Sequence, residues 1–241
     1  MSKEDNAIMT GKVPVTSNVI ASVTAQPMTN KITEYILCCP TLACELEAAL
    51  QEANTMDTYH VIYLPDELHR DPAELKRYLQ NTIDTLTDAT RIVVLPSGCG
   101  GGTAGLVSRR GEINIPKTRD CLDILLSTDS LKNLHRPLNS IYLTKSWAEY
   151  MKRSSLDLET LAAQKGRGYA EEYSQRMYTG FTDFYIIDTG TYDTAPVEAY
   201  IRPLVNLLGG TLQYLKGEYG ILKKVARRQF DDDFRKILPA D

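Results

Sequence analysis

Apolar runs of four to six residues alternate along the chain with longer segments in which apolar residues recur every three or four positions. The short runs predict β-strands, and the periodic segments predict amphipathic α-helices. The predicted strands are residues 34–38, 59–64, 91–95, 112–115, 140–143, 184–187 and 211–215. The predicted helices are residues 41–53, 119–127, 157–178 and 195–208, one that opens at Asp71-Pro72 and includes Leu86, a short one after Thr103, and one ending near Arg228.

This alternation is typical of an α/β protein. Residues 91–95 are almost all aliphatic, as in strands of a parallel sheet that are buried on both faces. Because crossovers between parallel strands are right-handed, we expect a doubly wound, mainly parallel sheet with helices on both faces, formed as a single domain by residues 31–241. Residues 1–30 have no apolar period and predict a flexible N-terminal extension or an arm laid on a partner subunit.

Two smaller features complete the predicted elements. Gly166 and Gly168 interrupt the helix predicted for residues 157–178 and predict a break or strain there. The acidic run Asp231, Asp232 and Asp233 predicts a solvated terminus.

Composition narrows the classes of function. The formal charge is −4, from 31 acidic and 27 basic residues, which argues against a nucleic-acid binder and fits a protein with a small-molecule ligand. No segment reaches the roughly 18 apolar residues that predict a membrane span, and no apolar core of a secretory signal follows the N-terminus. The five cysteines are an odd number, which favours a reducing, cytoplasmic setting where thiols serve packing, metal binding or catalysis.

Three cysteines follow predicted strands at positions where open α/β sheets bind ligands. Cys39, Cys99 and Cys121 come after the first, third and fourth strands. Thiolates bind Zn²⁺ and iron–sulfur clusters, and a three-thiolate zinc site keeps one position open for substrate. Their spacing matches no local zinc motif, so only the fold can assemble such a site. Packing is the alternative for these three, and it is the favoured interpretation for Cys38 and Cys44.

A glycine-rich loop surrounds the middle cysteine of the three. Residues 97–105 contain five glycines, whose N–H groups can form an anion-binding nest, with a helix from Thr103 adding its N-terminal dipole. The loop matches neither the Walker pattern nor the dinucleotide fingerprint, and a tight turn without a ligand is the alternative. The predicted cofactor-binding residues here are Gly98, Gly100, Gly101, Gly102 and Thr103.

Other strand ends carry further candidates. His69 follows the second strand as a candidate acid–base group or ligand, with a surface role as the alternative. Asp188 and Thr189 follow the sixth strand and either bind a cofactor or only form a turn. Lys145 and Trp147, after the fifth strand, are candidates for the pocket lining.

Six short motifs occur in one order along the chain and together resemble a known family. They are residues 36–42, 64–69, 99–100, 116–121, 142–144 and 187–190. On these motifs, residues 33–226 resemble the DUF1638 family of bacterial and archaeal proteins, some encoded near corrinoid-dependent methyltransferases. The resemblance implies cysteines at positions 39, 99 and 121, a metal or redox cofactor there, and a link to one-carbon chemistry.

The chain departs from the family pattern at two positions. Pro40 stands where the family usually has Gly, and Arg119 stands where many members have His. The second change removes a candidate fourth ligand and leaves three thiolates alone.

The leading hypothesis is a three-cysteine site for Zn²⁺ or an iron–sulfur cluster, in an enzyme or accessory factor of one-carbon or corrinoid methyl transfer. Cys39, Cys99 and Cys121 are its expected ligands, and Arg119 and His69 its expected substrate contacts. The glycine loop is expected to hold a phosphate or carboxylate.

Two alternatives belong to other classes of function. One is a non-catalytic module that binds a corrinoid, a corrinoid protein or a methyltransferase. The other is a thiol enzyme with Cys99 as nucleophile, near a helix N-terminus that lowers the thiol pKa. A homo-oligomer is compatible with each.

Overall fold

The predicted alternation of strands and helices is present in the computed structural model, which describes residues 33–137 and 139–240 without the side chains of His69 and Arg70. The predicted extension, residues 1–30, lies outside the described residues. The strands are β1 Glu34–Cys38, β2 Tyr59–Tyr63, β3 Arg91–Val94, β4 Glu112–Pro116, β5 Ile141–Leu143, β6 Asp183–Asp188, β7 Thr211–Lys216 and β8 Phe234–Ile237. The helices are α1 Ala43–Glu52, α2 Pro72–Thr85, α3 Cys121–Leu126, α4 Lys145–Arg153, α5 Leu158–Lys165, α6 Arg167–Met177, α7 Ala195–Leu208 and α8 Gly220–Ala226.

The larger sheet has the strand order β2-β1-β3-β4-β8. Strands β1 to β4 are parallel, and β8 pairs antiparallel with β4. Both faces are covered, because the consecutive residues Ile36 and Leu37 of β1 point to opposite faces and are both completely buried. Ile36 packs in a cluster that includes α1 and α8, and Leu37 packs in a cluster that includes α2.

The remaining strands form a separate parallel sheet in the order β5-β6-β7. Phe184 of β6 and Leu143 of β5 pack against α7, and Ile187 of β6 joins the core cluster of the larger sheet. The predicted α/β class with mainly parallel strands is therefore confirmed. The strands form two sheets, and the edge of β4 that faces away from β3 is paired with β8.

Three local predictions are wrong. No helix follows Thr103, where the chain forms turns, because Gly101 and Gly105 have φ values of +90° and +70° that no α-helix accommodates. A helix was missed at α4, where Thr144 accepts a hydrogen bond from the Trp147 N–H as N-cap. The acidic run is solvent-exposed at Asp231 and Asp232 as predicted, but it is not a terminus, because β8 follows it.

Two observations show that the end of the acidic run belongs to the fold. Lys224 lies 2.6 Å from the carboxylate of Asp233, and the next residue, Phe234, is buried at the start of β8.

Within the described residues, no helix is both long and apolar enough to cross a bilayer.

The break between α5 and α6 gives a matched test of the fold. Gly166 has a φ of +88°, whereas Gly168 lies inside α6 with open space around its Cα. We expect Gly166→Ala to lower the free energy of unfolding by about 1–2 kcal/mol, because a Cβ disfavours this backbone. Gly168→Ala is expected to raise it by about 0.5–1 kcal/mol. Urea unfolding measures both, and changes of the same sign would contradict the assigned break.

Candidate functional site

Strand order brings the three cysteine-bearing loops together. β1, β3 and β4 are neighbours, so the loops that follow them leave the sheet side by side at its carboxyl edge. The Cys99 N–H donates a 3.0 Å hydrogen bond to the carbonyl of Arg119. A Cβ added to Gly98 would lie 1.8 Å from the same oxygen. The glycine loop therefore packs directly on the loop that leads to Cys121.

The three thiols interact with one another. A hydrogen bond with Cys121 and complete burial raise the pKa of the Cys39 thiol, and the nearby charges of Cys121 and Cys99 raise it further. Burial, followed by the charges of Cys121 and Asp120, raises the pKa of Cys99 to about 12. A hydrogen bond from the Cys121 backbone opposes that shift in part. Cys121 thus links the other two thiols.

The cluster is not a preformed metal cage. Among residues 33–137 and 139–240, no group of three or more His, Cys, Asp or Glu donors is arranged to hold a metal ion. The three side chains are nevertheless of a type that suits a soft metal, because thiolates are soft ligands. They come from three separate loops. A metal site here would require the thiols to lose their protons and close around the ion.

A cavity of about 580 Å³ opens next to Cys121. Its walls come from the segments that follow β1, β2 and β4, from the segment that leads into β5, from β5 itself and from the first two turns of α4. Of the three clustered cysteines, only Cys121 is in the lining. The lining residues are Thr41, Asp66, Asp120, Cys121, Leu122, Arg136, Pro137, Ser140, Ile141, Tyr142, Thr144, Ser146, Trp147 and Tyr150. This volume suits a small-molecule ligand.

Arg136 is a lining residue that sequence reasoning missed. Its side chain is only 6% exposed, donates to Asp120 across 2.5 Å, and lies over the ring of Tyr142 at 5.2 Å. Its Nε lies 3.1 Å from Asp123 but has no aligned hydrogen-bond partner among the described residues. Arg136 stands alone before Pro137 in a segment that has no periodic pattern of apolar residues. The sequence around it therefore does not indicate that it lines a cavity.

Asp123 sits between two guanidinium groups. Its carboxylate accepts two 2.7 Å hydrogen bonds from Arg119 and lies near Arg136. Burial favours the neutral acid, but the hydrogen bonds from Arg119 and the charge of Arg136 outweigh it and hold the pKa of Asp123 below 3.8. Arg119, predicted to contact substrate, is thus engaged in this ion pair and is not a lining residue of the cavity in the described structure.

The glycine loop does not form an open anion nest. The N–H groups of Gly101, Gly102 and Ala104 donate to carbonyls within the loop. Gly100 and Gly102 pack closely on α2, where an added Cβ would lie 2.7 Å from Pro72 and Leu75, respectively. The buried Thr103 hydroxyl donates to the Ser97 carbonyl, and no residue of this described loop lines the cavity.

The residues that follow β6 form hydrogen bonds with the buried carboxylate of Glu45. The hydroxyls of Thr189 and Thr191 donate to the Glu45 carboxylate at 2.7 and 2.9 Å. Asp188 accepts from the Gly190 N–H and closes the turn. Both contacts have structural explanations, and neither residue contributes to the described cavity lining. The side chain of His69 lies outside the described part, while its backbone is in a 3-10 turn, Asp66–Arg70.

A family model described as a protein of unknown function (DUF1638) matches residues 63–226, more than half of the chain. The chain belongs to the DUF1638 family. The matched segment contains Cys99, Cys121 and Arg136 and begins after Cys39. No curated protein and no solved structure matches this DUF1638 protein.

The structure does not provide the helix N-terminus that was expected to activate Cys99 in this DUF1638 protein. The thiol-enzyme alternative required a helix N-terminus to lower the pKa of Cys99, but the chain forms turns there and burial raises that pKa to about 12. Cys121, which lines the cavity, is the better placed thiol for a reaction with a bound molecule.

Alkylation distinguishes the two thiols. With metal-free protein at pH 8, we expect iodoacetamide to label Cys121 faster than Cys99, because Cys121 faces the cavity and Cys99 is almost fully protonated. Peptide mapping by mass spectrometry after short exposures measures the order. The half-buried Cys44 of α1 serves as an internal reference. Labelling of Cys99 first would contradict the described environment.

Asp123 predicts a dependence of stability on pH. Asp123→Asn is expected to lower the free energy of unfolding by about 2 kcal/mol at pH 7, since both guanidinium groups lose a charged partner. The folded pKa lies below the unfolded one, so this contribution is complete above about pH 4 and is lost as pH falls through the folded value.

Urea unfolding should thus show a gap between wild type and variant that shrinks below about pH 4. The exposed Asp232→Asn is the control, with an expected change under about 0.5 kcal/mol. A gap that stayed constant on acidification would show that the charge of Asp123 contributes nothing.

Proposed function

We propose that this protein binds Zn²⁺ or an iron–sulfur cluster through Cys39, Cys99 and Cys121, next to a cavity that holds a small-molecule ligand. One observation carries the proposal. Three neighbouring strand ends bring three thiols into one interacting cluster, and one of these thiols opens into the cavity.

The electrostatics of the cluster support a cation. Buried thiols whose ionised forms raise one another's pKa are unfavourable as thiolates in the absence of a positive charge. A bound metal reverses this balance, because a coordinating thiol is deprotonated outright. Three protein ligands leave a fourth position open, as in catalytic zinc sites, and the cavity beside Cys121 is where a ligand would approach it.

The backbone at Cys99 adds independent support. Cys99 has a φ of +28°, a conformation that costs a non-glycine residue about 1–2 kcal/mol. The flanking Gly98 is required by its contact with Arg119, and Cys99 itself packs against the core cluster that includes α2. Strain of this kind is typical of functional positions.

The role in one-carbon or corrinoid methyl transfer rests on the family resemblance. A cavity of about 580 Å³ suits a small molecule, so a corrinoid would reach it from outside, presented by a corrinoid protein or methyltransferase partner. These partners, a homo-oligomer and a cytoplasmic location remain predictions. Reduced thiols fit a reducing compartment of that kind.

Thiol chemistry at Cys121 is the second candidate. It is favoured by the position of Cys121 in the cavity lining, within reach of Arg136 and the first turn of α4. Under this candidate the protein works without a metal, and a Cys121→Ser variant loses activity while Cys99→Ser does not.

Metal analysis tests the leading proposal. Protein purified without oxygen is expected to contain stoichiometric zinc, or iron and sulfide with a visible absorption spectrum. Cys39→Ser, Cys99→Ser and Cys121→Ser are each expected to lose the metal, since three ligands are the minimum for a stable site. Elemental analysis and absorption after Co²⁺ substitution are the measurements.

Cys44→Ser is the matched control, because Cys44 lies on α1 with burial as the main influence on its pKa and keeps the three clustered thiols intact. It should retain the full metal content. Folded, metal-free wild-type protein that takes up neither zinc nor an iron–sulfur cluster on reconstitution would overturn the proposal.

A further inference from the structure

The cavity next to Cys121 has a positive end. Thr144, Ser146 and Trp147, which begin α4, are among its lining residues, so the N-terminus of this nine-residue helix faces the cavity. The first turn of α4 contains no acidic residue. Helix N-termini attract anions because their first N–H groups lack helical partners and the helix dipole is positive there.

A buried guanidinium lies in the same cavity. Arg136 is a lining residue whose guanidinium donates to Asp120, while its buried Nε lies 3.1 Å from Asp123. A guanidinium has five N–H donors, and the aligned hydrogen bond to Asp120 uses one of them, so Arg136 can also donate to a carboxylate in the cavity and forms a second anion contact besides the helix N-terminus.

The acidic residues of the lining are already neutralised. Asp120 caps α3 with one oxygen and accepts from Arg136 with the other. Asp66 is 3.2 Å from Arg153. Since each lining carboxylate has an Arg partner, the helix N-terminus remains as the uncompensated charge and favours an anion over a cation.

Most of the lining surface is apolar. It includes Leu122, Ile141, Tyr142, Trp147 and Tyr150, which suit a hydrocarbon or aromatic body. We propose that the cavity binds a small organic acid, with its carboxylate between Arg136 and the α4 N-terminus and its apolar body against Trp147. This inference rests on the proposed function only for the position of the ligand beside Cys121, and it needs no metal.

Trp147 provides the readout, because it is the single tryptophan of the chain and lines the cavity. At pH 7, phenylacetate is expected to change its fluorescence saturably, with half-saturation at about 1 mM or below. Phenylacetamide, a neutral isostere, and 2-phenylethylammonium, a cation, are expected to bind at least about tenfold more weakly. No saturable response to phenylacetate, equal binding of the amide or tighter binding of the ammonium would each overturn the proposal.

Two variants test the two anion contacts separately. Arg136→Gln should weaken phenylacetate binding by about tenfold or more, whereas Arg176→Gln, at an exposed position of α6, should leave it unchanged. Ser146→Asp places a negative charge at the α4 N-terminus without touching the buried ion pairs and should abolish binding. Ser146→Asn is its neutral control and should retain binding. Wild-type affinity in Ser146→Asp would exclude this site.

The same proteins separate this inference from the proposed metal site. Arg136→Gln should keep any metal while losing the acid, and Cys99→Ser should lose any metal while still binding phenylacetate. Binding of phenylacetate that persists in Arg136→Gln and Ser146→Asp would refute the acid site, whatever the metal content. Absence of metal in a wild-type protein that binds phenylacetate would refute only the metal proposal.

Discussion

The position of β1 between β2 and β3 is the constraint on which the rest of the structure depends. Parallel pairing on both sides aligns the carboxyl ends of these strands and buries β1 on both faces. The chain winds away from β1 in one direction through β2 and in the other through β3, so the loops after β1 and β3 border a crevice. Cys39 and Cys99 follow the two strands that border it, and Cys121 follows β4 beside them.

A second layer of interactions fixes the loops that the strands bring together. Asp123, held between Arg119 and Arg136, ties the start of α3 to the segment before β5. That segment and α4 complete the cavity, which is why the small sheet contributes to a site whose thiols all come from the large sheet. The two guanidinium groups of this cluster are paired with the carboxylates of Asp120 and Asp123.

The candidate residues divide by the kind of information that identified them. Cys39, Cys99 and Cys121 were placed by one general rule, that ligands bind at strand carboxyl ends, and the structure brings them together. The glycine pattern predicted an anion-binding loop that the structure does not form. Glycine permits the close approach of a ligand or of another part of the protein, and here the glycines pack against Arg119 and α2. Thr189 looked like a cofactor contact but satisfies the buried Glu45, a partner 144 residues away.

The sequence by itself determined strands β1 to β7 and most helices, the break at Gly166 and the strand-end positions of the cysteines, because apolar period and backbone preference are local properties. Only the tertiary structure decided that β8 closes the edge of β4 and that the strands divide into two sheets, since the β4–β8 pairing joins residues far apart in the chain. It also decided the role of Arg136, which has no local pattern and acquires its environment from Asp120, Asp123 and Tyr142. Burial and charge pairing depend on long-range contacts that no window of sequence contains.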